Sequence, residues 1–368
     1  PGPSYSDPEV RKYAGWVKIL DLYKEALEEI GCEVFIPKVD PKLIDQSSTV
    51  SKILSYDVAA ARQIPVDIDL FLGPPGYSLC QLMKLGGREH FPPQKVSADI
   101  IDYGKGITYS RTTKLFLYVW NNSDNWRDKQ LAEEYKRFGR PYDLSPTWRW
   151  INTTALQMCD HIIACSPWVK ETHSKVVPEE KISIAFWGVD SDYFQPRKDP
   201  PSWAKFRVLY AGSDHVRKGL IYLLEAMEQF QDCELWIVGS PVRVDLPNVH
   251  CCGMKEHSQM PEFFQSGDIF VLPSLEDGVA LVIQEAMASG LPTITSPETG
   301  EVFEDGKSGI VVGYRDTEAL IRAIAFLKDS PIERELMGKN ARILAEKQTW
   351  NGTKNQVKMI LKEKSWAG

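Results

Sequence analysis

Glu285 is the residue from which the chemistry of this chain is best read. It lies in the run Pro273 to Pro292, where an apolar stretch, Ile269 to Leu272, passes through a polar turn into a helix-like segment. The turn carries Gly278 and the backbone N–H groups that open a helix. Such donors lack intrahelical partners, and the helix dipole favours an anion against them. About two turns further in, Glu285 is within reach of a hydroxyl-rich ligand lying along the helix. Its neighbours Val282, Ile283, Ala286, Met287 and Ala288 are apolar nearly all round, so this acid is mostly buried and needs a partner. A second strand-to-helix turn, Tyr210 to Gly219, carries two cations, Arg217 and Lys218. Cations disfavour a helix N-terminus, which points to an anion there. Together the two turns suit a phosphorylated, hydroxylated ligand. A surface Glu and a solvated Arg–Lys pair are the plain alternatives.

Turns of this kind need parallel strands behind them, and the chain supplies the rhythm. Val17 to Ile30 reads as a helix stopped by Gly31, followed by strands at 33–37, Asp69 to Gly73, Lys114 to Trp120, His161 to Cys165 and Ile182 to Phe186. The second half restarts with strands at Phe206 to Ala211, Glu234 to Gly239, Ile269 to Leu272, Thr293 to Thr295 and Gly309 to Val312. Two doubly wound α/β domains are expected, residues 1–188 and 189–352, joined near Gly188 to Pro196. The last helix, about 353–368, is expected to cross back to the first domain. In open α/β sheets ligands sit at the carboxyl ends of the strands, here between the two domains.

Composition sets outer limits. At 368 residues the chain accommodates two cores, and its 43% apolar and 25% charged residues are those of an ordinary globular protein. A net charge of −7 argues against a general nucleic-acid binder. No apolar run reaches membrane-spanning length and no charged-then-apolar leader opens the sequence, so a cytoplasmic location is expected. Seven cysteines without metal-type spacing are expected to be reduced thiols. No basic cluster on an apolar-faced helix argues for peripheral membrane contact.

The run Glu285-Ala286-Met287-Ala288-Ser289-Gly290-Leu291-Pro292 resembles the nucleotide-binding signature of retaining glycosyltransferases of the GT-B fold, family 4, at every fixed position of its second half. The acid seven residues before it is Asp277, where that family usually has Glu, with Glu276 one residue earlier. Gly188-Val189-Asp190, followed by Phe194-Gln195-Pro196, resembles the end of the family's N-terminal domain. The resemblance implies a GT-B fold, two Rossmann-like domains facing across a cleft, with the donor on the C-terminal one. It assigns Glu285 to the donor ribose and Asp277 to the transferred sugar. The backbone N–H groups of Gly278, Val279 and Ala280, leading into Leu281, would meet the phosphates. Lys218 matches the Lys that clasps the diphosphate. The family's Arg falls on Ser213, after Gly212, so Arg217 would substitute for it. Thr299-Gly300-Glu301 resembles a further loop of the family. Near the reacting sugar the family often has a histidine; here Asn121 or Asn122 would supply the hydrogen bond, with a plain polar turn as the equal alternative. Gly2 and Ser4 stand where the family's first loop faces the phosphates, although the family's opening strand does not precede them.

The implied activity is transfer of a sugar from a UDP-, GDP- or ADP-linked donor to a hydroxyl acceptor, with Asp277, Lys218 and Asn121 nearest the chemistry. Neither a metal nor another cofactor is expected, and nucleic acid is not expected as a partner. Asp67-Ile68-Asp69 has the spacing of a metal site but reads better as the turn into a strand. Six histidines are scattered without ligand spacing, and only His215, in the cation turn, stands out. Trp126, Tyr135, Trp148 and Trp150 are a candidate sugar-stacking wall, with core packing as an equal explanation. Three other readings stay open. They are a nucleotide-sugar epimerase or hydrolase, a dehydrogenase lacking the expected glycine fingerprint, and a degenerate nucleotide-sugar-binding protein.

Overall fold

The computed structural model describes residues 17–34, 70–73, 114–119, 121–142, 146–199, 203–299 and 303–366. They form two parallel sheets. The first has the order β1 (Leu70–Gly73), β2 (Lys114–Val119), β3 (His161–Ala164), β4 (Ile182–Ile184). The second contains β5 (Phe206–Gly212), β6 (Cys233–Gly239), β7 (Val249–Cys251), β8 (Ile269–Leu272), β9 (Thr293–Thr295) and β10 (Gly309–Val311). Its spatial order, β10-β9-β8-β5-β6-β7, is that of a doubly wound nucleotide-binding sheet, with the order reversing between β5 and β8. Val208 and Leu209 pair there with Ile269 and Phe270, so the turns that follow β5 and β8 emerge side by side.

Around the first sheet lie α1 (Val17–Glu29), α2 (Asp124–Arg137), α3 (Pro146–Met158) and α4 (Pro167–Ser174). Around the second lie α5 (Leu220–Met227), α6 (Met260–Gln265), α7 (Leu281–Ala288), α8 (Thr317–Asp329) and α9 (Pro331–Lys347), and α10 (Trp350–Trp366) ends the chain. Local chemistry sets several boundaries. Ser166 caps α4 by accepting the Val169 N–H at 3.2 Å, with Pro167 in the first turn, and Asp316 caps α8 through the Ala319 N–H at 2.8 Å. Gly31, just past α1, has φ +91°, a conformation glycine adopts freely.

The central strands read as unbroken apolar runs because they are covered on both faces: Phe116, Leu117, Ile162, Ile269, Phe270, Val271 and Leu272 are fully buried. The expected strands appear within one or two residues of their expected ends. The exceptions are 33–37, which lies mostly outside the described residues, and β7, a three-residue strand with no apolar run to announce it. The final helix packs against α1, with Lys354 and Lys358 paired to Glu29 at 2.7 and 2.6 Å.

Candidate functional site

Two turns make the site, and a glycine locks them together. Gly219 ends the cation turn at φ +67°, and a Cβ there would stand 2.0 Å from the Pro273 carbonyl oxygen. The Leu275 N–H also donates to the Arg217 carbonyl at 2.8 Å. The turn after β5 and the turn after β8 therefore share one backbone seam. Helix α7 is preceded by Ala280, which offers no side-chain cap to its first-turn donors.

The charges on these turns meet one another. Lys218 Nζ is hydrogen-bonded to Asp277 Oδ2, and Arg217 lies 3.3 Å from Glu276 Oε2, 3.6 Å from Asp277 Oδ1 and 3.8 Å from Asp214 Oδ2. Arg217 also donates to the Glu276 carbonyl at 3.1 Å. Both acids of the turn are buried. Burial alone would raise the Asp277 carboxyl, but Lys218 and Arg217, helped by the Gly278 N–H, hold it below the usual carboxylate range. Two cations thus stand at the helix start, paired with the chain's own carboxylates.

The first sheet reaches into the same cluster. Asn122, in the turn after β2, donates to Glu276 Oε1 at 3.1 Å and to the Asp277 carbonyl at 2.9 Å. Ser166 donates to the Gly278 carbonyl at 3.0 Å, and Tyr135 on α2 donates to Asp214 at 2.5 Å. Asn121 is exposed, its backbone carbonyl held 3.0 Å from His173 Nε2. Burial lowers His173 to about 4, so this imidazole is neutral and its contact is a plain hydrogen bond. Of the two asparagines, it is Asn122 that joins the acids. Ser213 is exposed beside the cluster, Gly212 is half-buried at the end of β5, and Val279 and Ala280 are buried under the turn. Gly2, Ser4, Gly300, Glu301 and Asp67 to Asp69 lie outside the described residues.

Glu285 is 7% exposed and faces a separate recess. Its Oε1 is 3.3 Å from His257 Nε2, the contact a mostly buried acid requires. His215 instead bonds the Ser240 carbonyl at 2.8 Å. Of the candidate aromatic wall, Trp126 packs edge-on against Trp168 at 5.4 Å, Tyr135 lies tilted against Tyr142 at 5.0 Å and Trp150 packs against the core, while the Trp148 side chain lies outside the described residues. Two further residues of this region carry no local signal in the sequence. His257 carries no spacing signal because its partner is 28 positions away. Glu298, whose carbonyl accepts the Asp277 N–H at 2.9 Å, sits in an unremarkable Pro-Glu-Thr turn, yet burial pushes its carboxyl up to about 7.

Residues 205–329 match glycosyl transferases group 1. A sulfoquinovosyl transferase of Arabidopsis thaliana is 27% identical over 192 residues, covering 46% of this chain and 38% of that protein. The chain spans 38% to 45% of the length of such curated relatives. Among solved structures, sucrose-phosphate synthase from Thermosynechococcus elongatus superposes with a TM-score of 0.73 at 19% identity, over 99% of this chain and 98% of that one. Anabaena HepE, solved in complex with UDP and glucose, gives 0.62 at 15% identity over 92% and 88%. Described strand orders and superposition agree on the fold. Residues 205–329 thus resemble glycosyl transferases group 1, and the chain has the GT-B fold.

Proposed function

We propose that this chain transfers a sugar, with retention of anomeric configuration, from a nucleotide-diphosphate sugar to a hydroxyl acceptor. One observation carries the reading. Two fixed cations, Arg217 and Lys218, stand at the strand ends of a doubly wound sheet, against the acid Asp277 and beside Asn122 from the opposite sheet. The presence of UDP and glucose in the HepE structure supports a donor of this class.

In this mechanism the diphosphate displaces Asp277 and Glu276 from the cations and Glu285 takes the ribose. The bond from the sugar's anomeric carbon to the diphosphate oxygen breaks, and a bond to the acceptor oxygen forms on the same face. The acceptor proton passes to the departing diphosphate, so no protein nucleophile is needed. Arg217 and Lys218 stabilise the charge that grows on the leaving group, the role a metal fills elsewhere. We place the donor on residues 189–352 and the acceptor on 1–188. The two chain crossings fit that division, since Val189 bridges Thr349 and the Val189 N–H donates to Gln348 at 2.8 Å.

Calorimetric titration of UDP, GDP and ADP in EDTA tests the site. Tight binding of one nucleotide, lost in Glu285→Ala, is expected; binding of none overturns the reading. NMR of the product then tests retention, which an inverted anomer would refute. A non-catalytic binder is the second reading, favoured by the occupation of both cations by internal acids. It predicts nucleotide binding without turnover of any donor.

A further inference from the structure

The recess that Glu285 faces is walled by Val189, Asp190, Phe194, Leu281 and Trp350, with His257 at its edge. His257 is held on three sides. Its ring lies stacked on Tyr193, centroids 5.5 Å apart and planes 5° from parallel, and edge-on to Phe194 at 5.5 Å. Phe194 is itself fixed in the core against Phe264 at 5.8 Å. The backbone below is a short 3-10 turn, His257–Gln259, closed by reciprocal bonds between Glu256 and Gln259. An imidazole so fixed, with Nε2 3.3 Å from Glu285 Oε1, has one evident effect: it sets the plane of that carboxylate. A carboxylate held in this way can present its remaining acceptor sites to a ligand in the recess. A vicinal diol offers two donors to a carboxylate of fixed plane, and a deoxysugar offers one.

We propose that His257 is a positioning residue that orients Glu285 so that the recess selects ribose over deoxyribose. The inference rests on the assignment of Glu285 to the donor ribose made above. A site built to hydrogen-bond a hydroxyl penalises the analogue that lacks it, because its own polar groups are left unpaired. Tyr193 and Phe194 follow the chain crossing at Val189, and His257 lies in the 3-10 turn between β7 and α6, so this selection couples the site to the crossing.

The test measures Kd for the tightest-binding nucleoside diphosphate among UDP, GDP and ADP, and for its 2′-deoxy and 3′-deoxy forms. It uses the full chain, with His257→Phe, which keeps the stack without the nitrogen, and His257→Gln, which keeps a donor. The corresponding monophosphate supplies an independent readout of the phosphate end. The wild type is expected to prefer the ribonucleotide by about tenfold to a hundredfold. His257→Phe is expected to lose most of that preference while its diphosphate-to-monophosphate ratio stays at the wild-type value, and His257→Gln to recover part of it. If His257→Phe keeps the full preference, or if the wild type binds ribo and deoxy forms equally, the inference is overturned while the nucleotide site stands. If the wild type binds no nucleotide, both fall. A parallel fall in both ratios in His257→Phe and His257→Gln would mean that His257 only holds the fold, and would also overturn the positioning role.

Discussion

The pairing of Lys218 with Asp277 makes the site contested ground. On the proposed function, an incoming diphosphate would have to win both cations from carboxylates already in place, so its affinity would be the difference between two sets of charge-assisted bonds. Asp277→Asn is expected to tighten nucleoside diphosphate binding roughly tenfold, the worth of about one such bond no longer opposed. Sugar transfer is expected to fall in the same variant. Lys218→Ala is expected to weaken binding by about tenfold or more. Calorimetry checks both, and weaker binding in Asp277→Asn would contradict the account. Glu298 gives a pH signature. Its carboxyl is lifted from an ordinary 4.5 to about 7, so between those values the folded chain holds a proton that the unfolded chain has released. Stability from this group is present at low pH and declines as pH rises through that window. Glu298→Gln should therefore match the wild type near pH 4, and its thermal midpoint should pull ahead up to pH 7 and level off above. Differential scanning calorimetry at several pH values would show it.

Helix α2 does at the scale of elements what Asn122 does at the scale of residues. It belongs to the first sheet, yet Glu134, 1% exposed, meets Arg315 at 2.7 Å, in the turn between β10 and α8, and the Tyr222 hydroxyl on α5. Arg315 adopts φ +63°, the one positive value among described non-glycine residues, and Arg137 bonds Tyr222 at 3.2 Å. An acid buried this deeply is costly to strand. Arg315→Ala, which leaves Glu134 buried without its cation, is expected to cost about 3–5 kcal/mol in urea unfolding. A loss under 1 kcal/mol would mean the pair is solvated in solution. None of this was legible in the sequence, where α2 is a strongly polar amphipathic segment and Glu134 one of many acids. The strands were legible because two-sided burial writes itself as an apolar run. Glu285 was legible because an acid among small apolar residues is conspicuous. His257, Glu298 and the choice of Asn122 over Asn121 depend on contacts between segments far apart in the chain, which no local pattern encodes.

Across the whole molecule, α10 returns to α1 with two kinds of contact. Its lysines pair with Glu25 and Glu29 on the surface, while Val357 and Leu361 are fully buried. Exposed pairs contribute little, so the attachment is apolar. The double variant Lys354→Ala, Lys358→Ala should leave the unfolding midpoint almost unchanged, whereas Leu361→Ala should cost about 2–5 kcal/mol. The reverse order in chemical denaturation would mean that charge holds the helix in place. Among the described residues, no helix is long and apolar enough to cross a membrane.

The seam at Gly219 has a practical consequence for anyone grafting loops into this chain. Because a Cβ at Gly219 would strike the Pro273 carbonyl at 2.0 Å, and Leu275 hangs from the Arg217 carbonyl, the loops 213–219 and 273–280 form one transplantable unit. Grafting either loop alone from a relative would import a backbone cut to fit a different neighbour. Grafted as a pair, they would carry their shared seam with them.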